Sequence, residues 1–284
     1  MKPVANDHVL MNNTRIAHGV YGDGVPVILL HGTPSSSLIW RDSIEPLVTA
    51  GYKVHLFDLL GYGLSERPWD PEIDTSISGQ LPILEGLMDH WGLTSAHIVG
   101  HDFGGAIAQQ VGVFRPDVAR TITLIDAVSY DSYPSKRTRQ QMEAGLDVLA
   151  KAPDAEHRAH FRDWVKSAVV DQKRFEGTAL ETYVDYISGP IGQASLFQHQ
   201  IRQYDPIHTM KVADRLGELG TKPVKLIWGA QDAWQTPDWA KRLHGDIPGS
   251  ELSLVEGAAH FALEDKPDEI NALILDFLSR HRDA

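Results

Sequence analysis

The sequence predicts an α/β fold in which a mostly parallel central sheet is flanked by helices. Two observations support this fold class. Six short apolar runs rich in Val, Ile and Leu are typical of strands buried on both faces, and segments with helical periodicity lie between several of them. The strands are expected at residues 25–30, 53–57, 96–99, 121–125, 224–228 and 251–255, and the clearest helices at 81–91, 105–114 and 267–280. Strands that alternate with helices indicate parallel pairing.

The alternation is interrupted between residues 125 and 224. This connection is about 100 residues long, which exceeds any ordinary loop. Amphipathic stretches at 137–149, 155–169, 179–187 and 194–204 predict that it forms a small helical cap. We therefore expect a core domain in two parts, residues 1–127 and 221–284, with the cap at 128–220.

The composition is that of a soluble globular protein and excludes several classes of function. The chain has 284 residues, of which 42% are hydrophobic and 23% are charged. Its net charge of −12 disfavours binding to nucleic acid, because it repels phosphate backbones. It contains no cysteine, which excludes disulfides, thiolate metal sites and cysteine nucleophiles.

The sequence has no apolar signal core near its first residues and no apolar run of about 18 residues. We therefore expect a cytoplasmic protein without a membrane partner. Its expected partners are a small-molecule substrate and water, and it is expected to be a monomer or a homodimer.

The most informative motif is Gly100-His-Asp102-Phe-Gly104-Gly105, which follows one predicted strand directly and opens a predicted helix. Small residues two positions before and after Asp102 suit a strained strand-turn-helix elbow that points the acidic side chain into open space. The alternative is a glycine-rich phosphate-binding turn. The run lacks the pattern of dinucleotide-binding and P-loop motifs, which disfavours that alternative.

With this elbow, the chain resembles the α/β-hydrolase fold family, and specifically its branch with an aspartate nucleophile, which includes haloalkane dehalogenases and epoxide hydrolases. Four further motifs in the family's order support the resemblance. They are His31-Gly-Thr33-Pro34, Asp58-Leu-Leu-Gly-Tyr-Gly-Leu-Ser65, Trp228-Gly-Ala-Gln-Asp232 and Gly257-Ala-Ala-His260-Phe261. The resemblance covers nearly the whole chain, but it specifies the fold more closely than the activity.

The resemblance implies a catalytic triad in the chain order nucleophile, acid, histidine. Asp102, Asp232 and His260 occupy those places, and Asp232 would accept a hydrogen bond from Nδ1 of His260. Asp126 is an alternative acid, because it ends the strand before the cap, where some dehalogenase subfamilies carry this residue. His31 and His101 also lie in motifs, but beside turn glycines, and a structural role is expected for both.

The resemblance also implies that the backbone N–H groups of Thr33 and Phe103 form the oxyanion hole. An aspartate is already ionised near neutral pH and can attack a saturated carbon that bears a leaving group, which gives an ester. His260 would then activate the water that hydrolyses the ester of Asp102. This chemistry requires no metal and no organic cofactor.

The expected activity is hydrolysis of a small, mostly apolar substrate through an aspartyl ester, most simply at a carbon–halogen bond, with an epoxide as the alternative. A departing halide needs N–H donors, for which Trp40 and Trp164 are pocket candidates. An epoxide oxygen needs a proton donor, which epoxide hydrolases typically take from cap tyrosines. Tyr183 and Tyr186 are candidates because they share a helix face. The cap also contains Tyr130, Tyr133 and Tyr204.

Two positions depart from the dehalogenase pattern. Phe103 stands where these enzymes usually carry Trp, and Thr33 stands where they usually carry Asn or Glu, so the usual halide cradle is missing. Other activities on the same scaffold therefore stay open. They are ester or lactone hydrolysis, cofactor-free oxygenation and a non-catalytic receptor role.

Overall fold

The computed structural model describes residues 1–11 and 13–284 and contains one eight-stranded sheet. The strands are β1 (Asp7–Met11), β2 (Thr14–Tyr21), β3 (Val25–Leu30), β4 (Tyr52–Phe57), β5 (Ala96–His101), β6 (Ala119–Ile125), β7 (Val224–Gly229) and β8 (Glu251–Val255). Their order across the sheet is β1-β2-β4-β3-β5-β6-β7-β8. β2 pairs antiparallel with β1 and β4, whereas β3 to β8 pair in parallel. The structure confirms the predicted fold class.

All six predicted strands are present as β3 to β8. Every residue of β5 and β7 is buried, as expected for continuous apolar runs in a sheet covered on both faces. β1 and β2 lie outside the predicted strands. β1 is at the edge of the sheet and its residues are exposed or half-buried, so it lacks the apolar run that identifies a central strand.

Helices flank the sheet. They are α1 (Arg41–Thr49), α2 (Gln80–Trp91), α3 (Phe103–Phe114), α4 (Lys136–Ala144), α5 (Leu146–Ala150), α6 (Asp154–Lys166), α7 (Gln172–Glu176), α8 (Leu180–Tyr186), α9 (Gly189–Ser195), α10 (Ile207–Ala213), α11 (Pro237–Asp246), α12 (Ala262–Asp265) and α13 (Pro267–Arg280). α2, α3 and α13 match the predicted helices to within two residues. Among residues 1–11 and 13–284, no helix is both long and apolar enough to span a bilayer.

The segment between β6 and β7, residues 126–223, is called the helical connection below. It contains α4 to α10, a π-helical turn at Leu196–Gln200 and 3-10 turns at Ile201–Gln203 and Leu216–Thr221. The predicted helix at 194–204 is divided among α9 and two of these turns. α9 begins earlier, at Gly189, and has Pro190 in its first turn. Proline is tolerated there because the first N–H groups of a helix have no partner within the helix.

Asp265, the last residue of α12, joins the helical connection to the loop between β8 and α12. Its buried carboxylate accepts the backbone N–H groups of Val170 at 3.0 Å, Asp171 at 2.9 Å and Ala259 at 2.9 Å. One side chain therefore holds two residues of the connection and the residue that precedes His260.

Candidate active site

Asp102 stands at a sharp turn between β5 and α3, as the elbow motif predicts. Its backbone φ of 53° and ψ of −114° lie in a region that residues other than glycine rarely adopt. The neighbouring glycines have no room for a side chain. A Cβ at Gly100 would lie 2.2 Å from the carbonyl oxygen of Gly104, and a Cβ at Gly104 would lie 2.1 Å from that of Leu30. The close backbone approach in this elbow therefore requires glycine at both positions.

The carboxylate of Asp102 is buried and has two close neighbours. Its Oδ1 accepts the backbone N–H of Thr33 at 2.7 Å, and its Oδ2 lies 3.4 Å from Nε2 of His260. A Cβ at Gly32 would lie 2.2 Å from Oδ1, so the approach of Thr33 depends on glycine at position 32. Phe103 is the first residue of α3, where an N–H has no acceptor within the helix. Both amides expected in the oxyanion hole are thus next to Asp102.

His260 lies between two carboxylates. Its Nδ1 is 2.9 Å from Oδ2 of Asp232, and its Nε2 faces Asp102. Oδ1 of Asp232 accepts the backbone N–H groups of Trp234 and Gln235 at 2.7 and 2.9 Å. Burial disfavours the charged imidazolium, but Asp232 together with Asp102 outweighs this effect and raises the pKa of His260 well above its usual value. Asp102, His260 and Asp232, the three residues of the predicted triad, thus lie side by side with His260 in the middle.

Asp126, the alternative acid, is fully buried at the end of β6. Its Oδ1 accepts the backbone N–H of Gly229 at 2.8 Å. Because Nδ1 of His260 pairs with Asp232, the geometry favours Asp232 as the partner of the histidine.

The two other histidines of the motifs are buried and hydrogen-bonded. Nε2 of His31 accepts the backbone N–H of Leu59 at 2.9 Å. Nε2 of His101 lies 2.9 Å from the carbonyl oxygen of His260, and it carries the proton because a carbonyl can only accept. Burial lowers the pKa of His101 to about 3, so its imidazole is neutral. His101 therefore supports the backbone of His260.

An aromatic stack covers His260. Trp234 stacks on its imidazole with ring centroids 4.9 Å apart, and Trp164 stacks on Trp234 at 5.0 Å. Trp234 also donates its indole N–H to Oγ of Ser167 at 3.1 Å. Trp164 and Ser167 belong to the helical connection, which thus covers one face of the site. The face of an indole stabilises a cation, here the protonated imidazole.

A cavity of about 40 Å³ lies beside Asp102 and His260. A buried water needs about 10–15 Å³ of such space, so this cavity suits a small molecule. The other residues that line it are Thr33, Phe103, Val128, Tyr133, Pro134, Ser135, Thr138, Trp164, Tyr204, Trp234 and Gln235. A larger groove of about 660 Å³ lies along α1 and α13, on the surface and away from the triad.

Of the four residues predicted for the substrate pocket, the structure places Trp164 in the cavity wall and the other three elsewhere. Trp40 is fully buried in the apolar core. Tyr183 is also fully buried, and its hydroxyl donates to Glu264 at 2.8 Å. Tyr186 shares α8 with Tyr183 and is likewise absent from the lining. The assignment of the last three to the pocket is therefore corrected.

Two other tyrosines of the helical connection line the cavity instead. The hydroxyl of Tyr204 hydrogen-bonds Oγ1 of Thr33, and that of Tyr133 donates to a backbone carbonyl. Both rings contact Phe103 edge to face, with centroids 5.2 Å away for Tyr204 and 5.3 Å for Tyr133. Burial raises the pKa of both phenols, and the charge of Asp102 adds to this effect. Both tyrosines are therefore protonated at neutral pH.

Gln235, Ser135 and Thr138 also line the cavity, and the sequence motifs do not identify them. Oε1 of Gln235 is buried without a hydrogen-bond partner in the described part of the chain. Ser135 caps α4 by accepting the backbone N–H of Thr138. Two features of the sequence could have indicated these residues. Ser135 and Thr138 have the Ser-x-x-Thr spacing of a helix start, and Gln235 lies three residues after Asp232.

The chain belongs to the family described as the alpha/beta hydrolase fold, whose model matches residues 25–267. It is 28% identical to haloalkane dehalogenase 2 of Mycobacterium tuberculosis, over 92% of this chain and 91% of that protein. It is 27% identical to 2-hydroxy-6-oxononadienedioate/2-hydroxy-6-oxononatrienedioate hydrolase 1 of Dechloromonas aromatica, over 91% of this chain and 88% of that protein.

A solved structure gives the same result for the fold. An alpha/beta hydrolase fold protein from Burkholderia ambifaria is similar with a TM-score of 0.87 and 28% identity, over 97% of this chain and 98% of that one. The protein is therefore an enzyme, a hydrolase of the α/β hydrolase fold.

Proposed function

We propose that the protein hydrolyses a small, mostly apolar substrate through a covalent ester of Asp102. The observation that carries this proposal is the environment of one carboxylate. Asp102 lines the cavity, its Oδ1 is held by the amide of Thr33, and its Oδ2 lies 3.4 Å from His260. Oδ1 then becomes the carbonyl oxygen of the ester, and Oδ2 is the attacking atom.

The reaction has two steps. In the first, Oδ2 of Asp102 forms a bond to a saturated carbon, and the bond from that carbon to the leaving group breaks with its electron pair. In the second, neutral His260 takes a proton from water, and the hydroxide adds to the carbonyl carbon of the ester. The negative charge on Oδ1 is stabilised by the amides of Thr33 and Phe103. Collapse releases the alcohol and regenerates the carboxylate.

The leaving group that the geometry supports best is the oxygen of an epoxide. Ring opening leaves an electron pair on this oxygen, which must take up a proton. Tyr204 and Tyr133 are protonated phenols in the cavity wall, and Tyr204 is linked through Thr33 to Asp102. Tyr204 would donate the proton, because the hydroxyl of Tyr133 already donates to a backbone carbonyl. The proton that His260 loses when Asp102 becomes an ester restores the tyrosine. His260 regains a proton from water in the second step, so the balance is epoxide plus water giving diol.

Carbon–halogen cleavage, the first expectation from the sequence, is the second candidate. Trp164 contributes an indole to the cavity wall, and one relative is named as a haloalkane dehalogenase. A halide is best held by more than one N–H donor. Phe103 has no side-chain donor, and the indole N–H of Trp234 already bonds Ser167. The donors in the wall are therefore mainly hydroxyls, which favour an oxygen leaving group.

A single turnover in water enriched in heavy oxygen tests the covalent ester. With enzyme in excess over a small styrene-type epoxide, the first diol should be unlabelled, because its new oxygen comes from Asp102. The label should appear in the peptide that contains Asp102. Label in the first product, with none in this peptide, would mean that water attacks the substrate directly and would contradict the proposal.

The same experiment with a short bromoalkane, followed by halide release, tests the second candidate. Diol formation without halide release supports epoxide opening, and the reverse result supports carbon–halogen cleavage.

A further inference from the structure

A further buried carboxyl group, that of Asp126, lies next to the triad, and the mechanism above does not use it. Asp126 directly follows β6, and Asp232 follows the neighbouring strand β7, to which β6 is paired. The two carboxyl groups are close enough for the charge of one to raise the pKa of the other. Oδ1 of Asp126 accepts the N–H of Gly229, and Oδ2 is buried with no hydrogen-bond partner among residues 1–11 and 13–284.

The two carboxyl groups differ in how well their surroundings stabilise a negative charge. Asp232 accepts hydrogen bonds from two backbone amides and from Nδ1 of His260. Asp126 accepts one, from Gly229. Two adjacent buried carboxyl groups do not both ionise, since the charges repel each other without solvent to screen them. We therefore expect Asp232 to be the ionised carboxylate and Asp126 to be the protonated carboxylic acid.

A proton on Asp126 also explains its unpartnered oxygen. A protonated Oδ2 is a donor, and a carboxylate such as that of Asp232 is a strong acceptor for it. Burial and, next, the charge of Asp232 raise the pKa of Asp126 well above its usual value, in agreement with this arrangement.

We propose that Asp126 is a neutral carboxylic acid that donates its O–H to Asp232 and thereby positions the carboxylate that holds His260. Asp126 is then a positioning residue, neither a spare acid nor a member of the triad. Its importance for turnover rests on the proposed function, because only there do Asp232 and His260 act in catalysis.

Asparagine is the matched replacement for a neutral aspartic acid. In Asp126→Asn, the amide oxygen can accept the N–H of Gly229 while the amide nitrogen donates to Asp232. In Asp126→Leu, the size is similar but both hydrogen bonds are lost. If Asp126 were instead ionised and shared the acid role, Asp126→Asn would be as damaging as Asp232→Asn.

The direct test is carbon NMR of the aspartate carboxyl groups in the whole protein without substrate, with Asp126→Asn used to assign the resonance of Asp126. At about neutral pH the parent protein should show Asp126 as the acid and Asp232 as the carboxylate. The titration of His260 should be unchanged in Asp126→Asn. In Asp126→Leu the pKa of His260 should rise, because a carboxylate that has lost a donor attracts the imidazolium more strongly. An ionised Asp126 in the parent would overturn the proposal.

Hydrolysis rates give the second readout. We expect Asp126→Asn to stay within about threefold of the parent and Asp126→Leu to be slower by about tenfold or more, as for loss of a hydrogen bond to a charged group. Equal losses in the two variants would contradict the proposal. The NMR experiment requires no turnover. It therefore tests the protonation of Asp126 independently of the heavy-oxygen experiment, which tests the ester of Asp102.

Discussion

His101 donates from Nε2 to the carbonyl oxygen of His260 at 2.9 Å, which ties the residue before the predicted nucleophile to the predicted base. The connection runs through a neutral imidazole and a backbone carbonyl, and it does not involve the charge of Asp102. The distance of 3.4 Å between Asp102 and His260 is therefore supported by the surrounding backbone. A change of charge at position 102 can then act on His260 while the geometry is kept.

We predict that Asp102→Asn lowers the pKa of His260. In the parent, the carboxylates of Asp232 and Asp102 raise this pKa against the effect of burial. The asparagine removes one of the two charges, as does ester formation on Asp102 during the reaction. Formation of the ester would thus convert His260 to the neutral form that activates water. NMR titration of the imidazole in both proteins measures the effect, and an unchanged or higher pKa would contradict it.

We predict that Asp102→Ala reduces turnover by about 10⁴-fold or more, because it removes the nucleophile. The backbone at position 102 is strained, with φ of 53°, and only glycine adopts this region readily. Asp102→Gly should therefore be at least as stable as Asp102→Ala, although glycine usually destabilises a folded chain. Urea unfolding of the two variants tests the strain, and a residual activity above about one part in a hundred would exclude the nucleophile role.

We predict that His260→Gln accumulates the covalent ester, since attack by Asp102 needs no base whereas hydrolysis of the ester does. Intact-protein mass spectrometry after mixing with substrate should show an adduct on the variant. An epoxide adduct keeps all atoms of the substrate, while a bromoalkane adduct lacks the bromine. Absence of an adduct with a substrate that the parent hydrolyses would show that His260 acts before the covalent step.

We predict that Tyr204→Phe slows epoxide opening by about a hundredfold or more, the usual size of a general-acid contribution. Tyr183→Phe is the matched control, because its hydroxyl donates to Glu264 away from the cavity. This control should keep the rate of ester formation even where it lowers the unfolding temperature. Rapid-mixing measurement of ester formation compares the two, and equal slowing would rule out Tyr204 as the proton donor.

We predict that His55 makes the fold less stable in acid. Both of its ring nitrogens are buried without a hydrogen-bond partner in the part of the chain that is described, and burial lowers its pKa to about 4. Between about pH 6.5 and 4 the unfolded chain binds a proton at this residue that the folded chain does not, so stability falls as pH falls. His55→Leu should reduce this loss. Urea unfolding at about pH 8 and pH 5 checks it, and an equal pH effect in both proteins would contradict it.

The fold and the triad could be predicted because their signals are local in the sequence. Buried strands leave continuous apolar runs, and the elbow needs glycine at positions 100 and 104, where backbone atoms meet closely. Each residue of the predicted triad lies within one of the sequence motifs, so its position could be predicted from that motif. The edge strand β1 carries no comparable run, so it was not predicted.

The cavity could not be predicted in the same way, because it depends on how the helical connection packs against the sheet. Helical spacing shows that Tyr183 and Tyr186 share a face, but it does not show where that face points. In the structure the hydroxyl of Tyr183 donates to Glu264, which forms a partly buried ion pair with Arg41 at 2.6 Å. A buried phenol needs such a partner for its hydroxyl. The cavity therefore takes its tyrosines from positions 133 and 204, on other parts of the connection.

The carboxylate of Asp265 has a consequence for motion. It holds the amides of Val170, Asp171 and Ala259 at once, so none of the three can detach without leaving a buried charge short of a donor. We therefore expect residues 170 and 171 and the strand-to-helix loop around position 259 to open together as one unit. Their amide protons should exchange with solvent at a common rate. Local opening at this end of the connection would also displace His260 from its position beside Asp102.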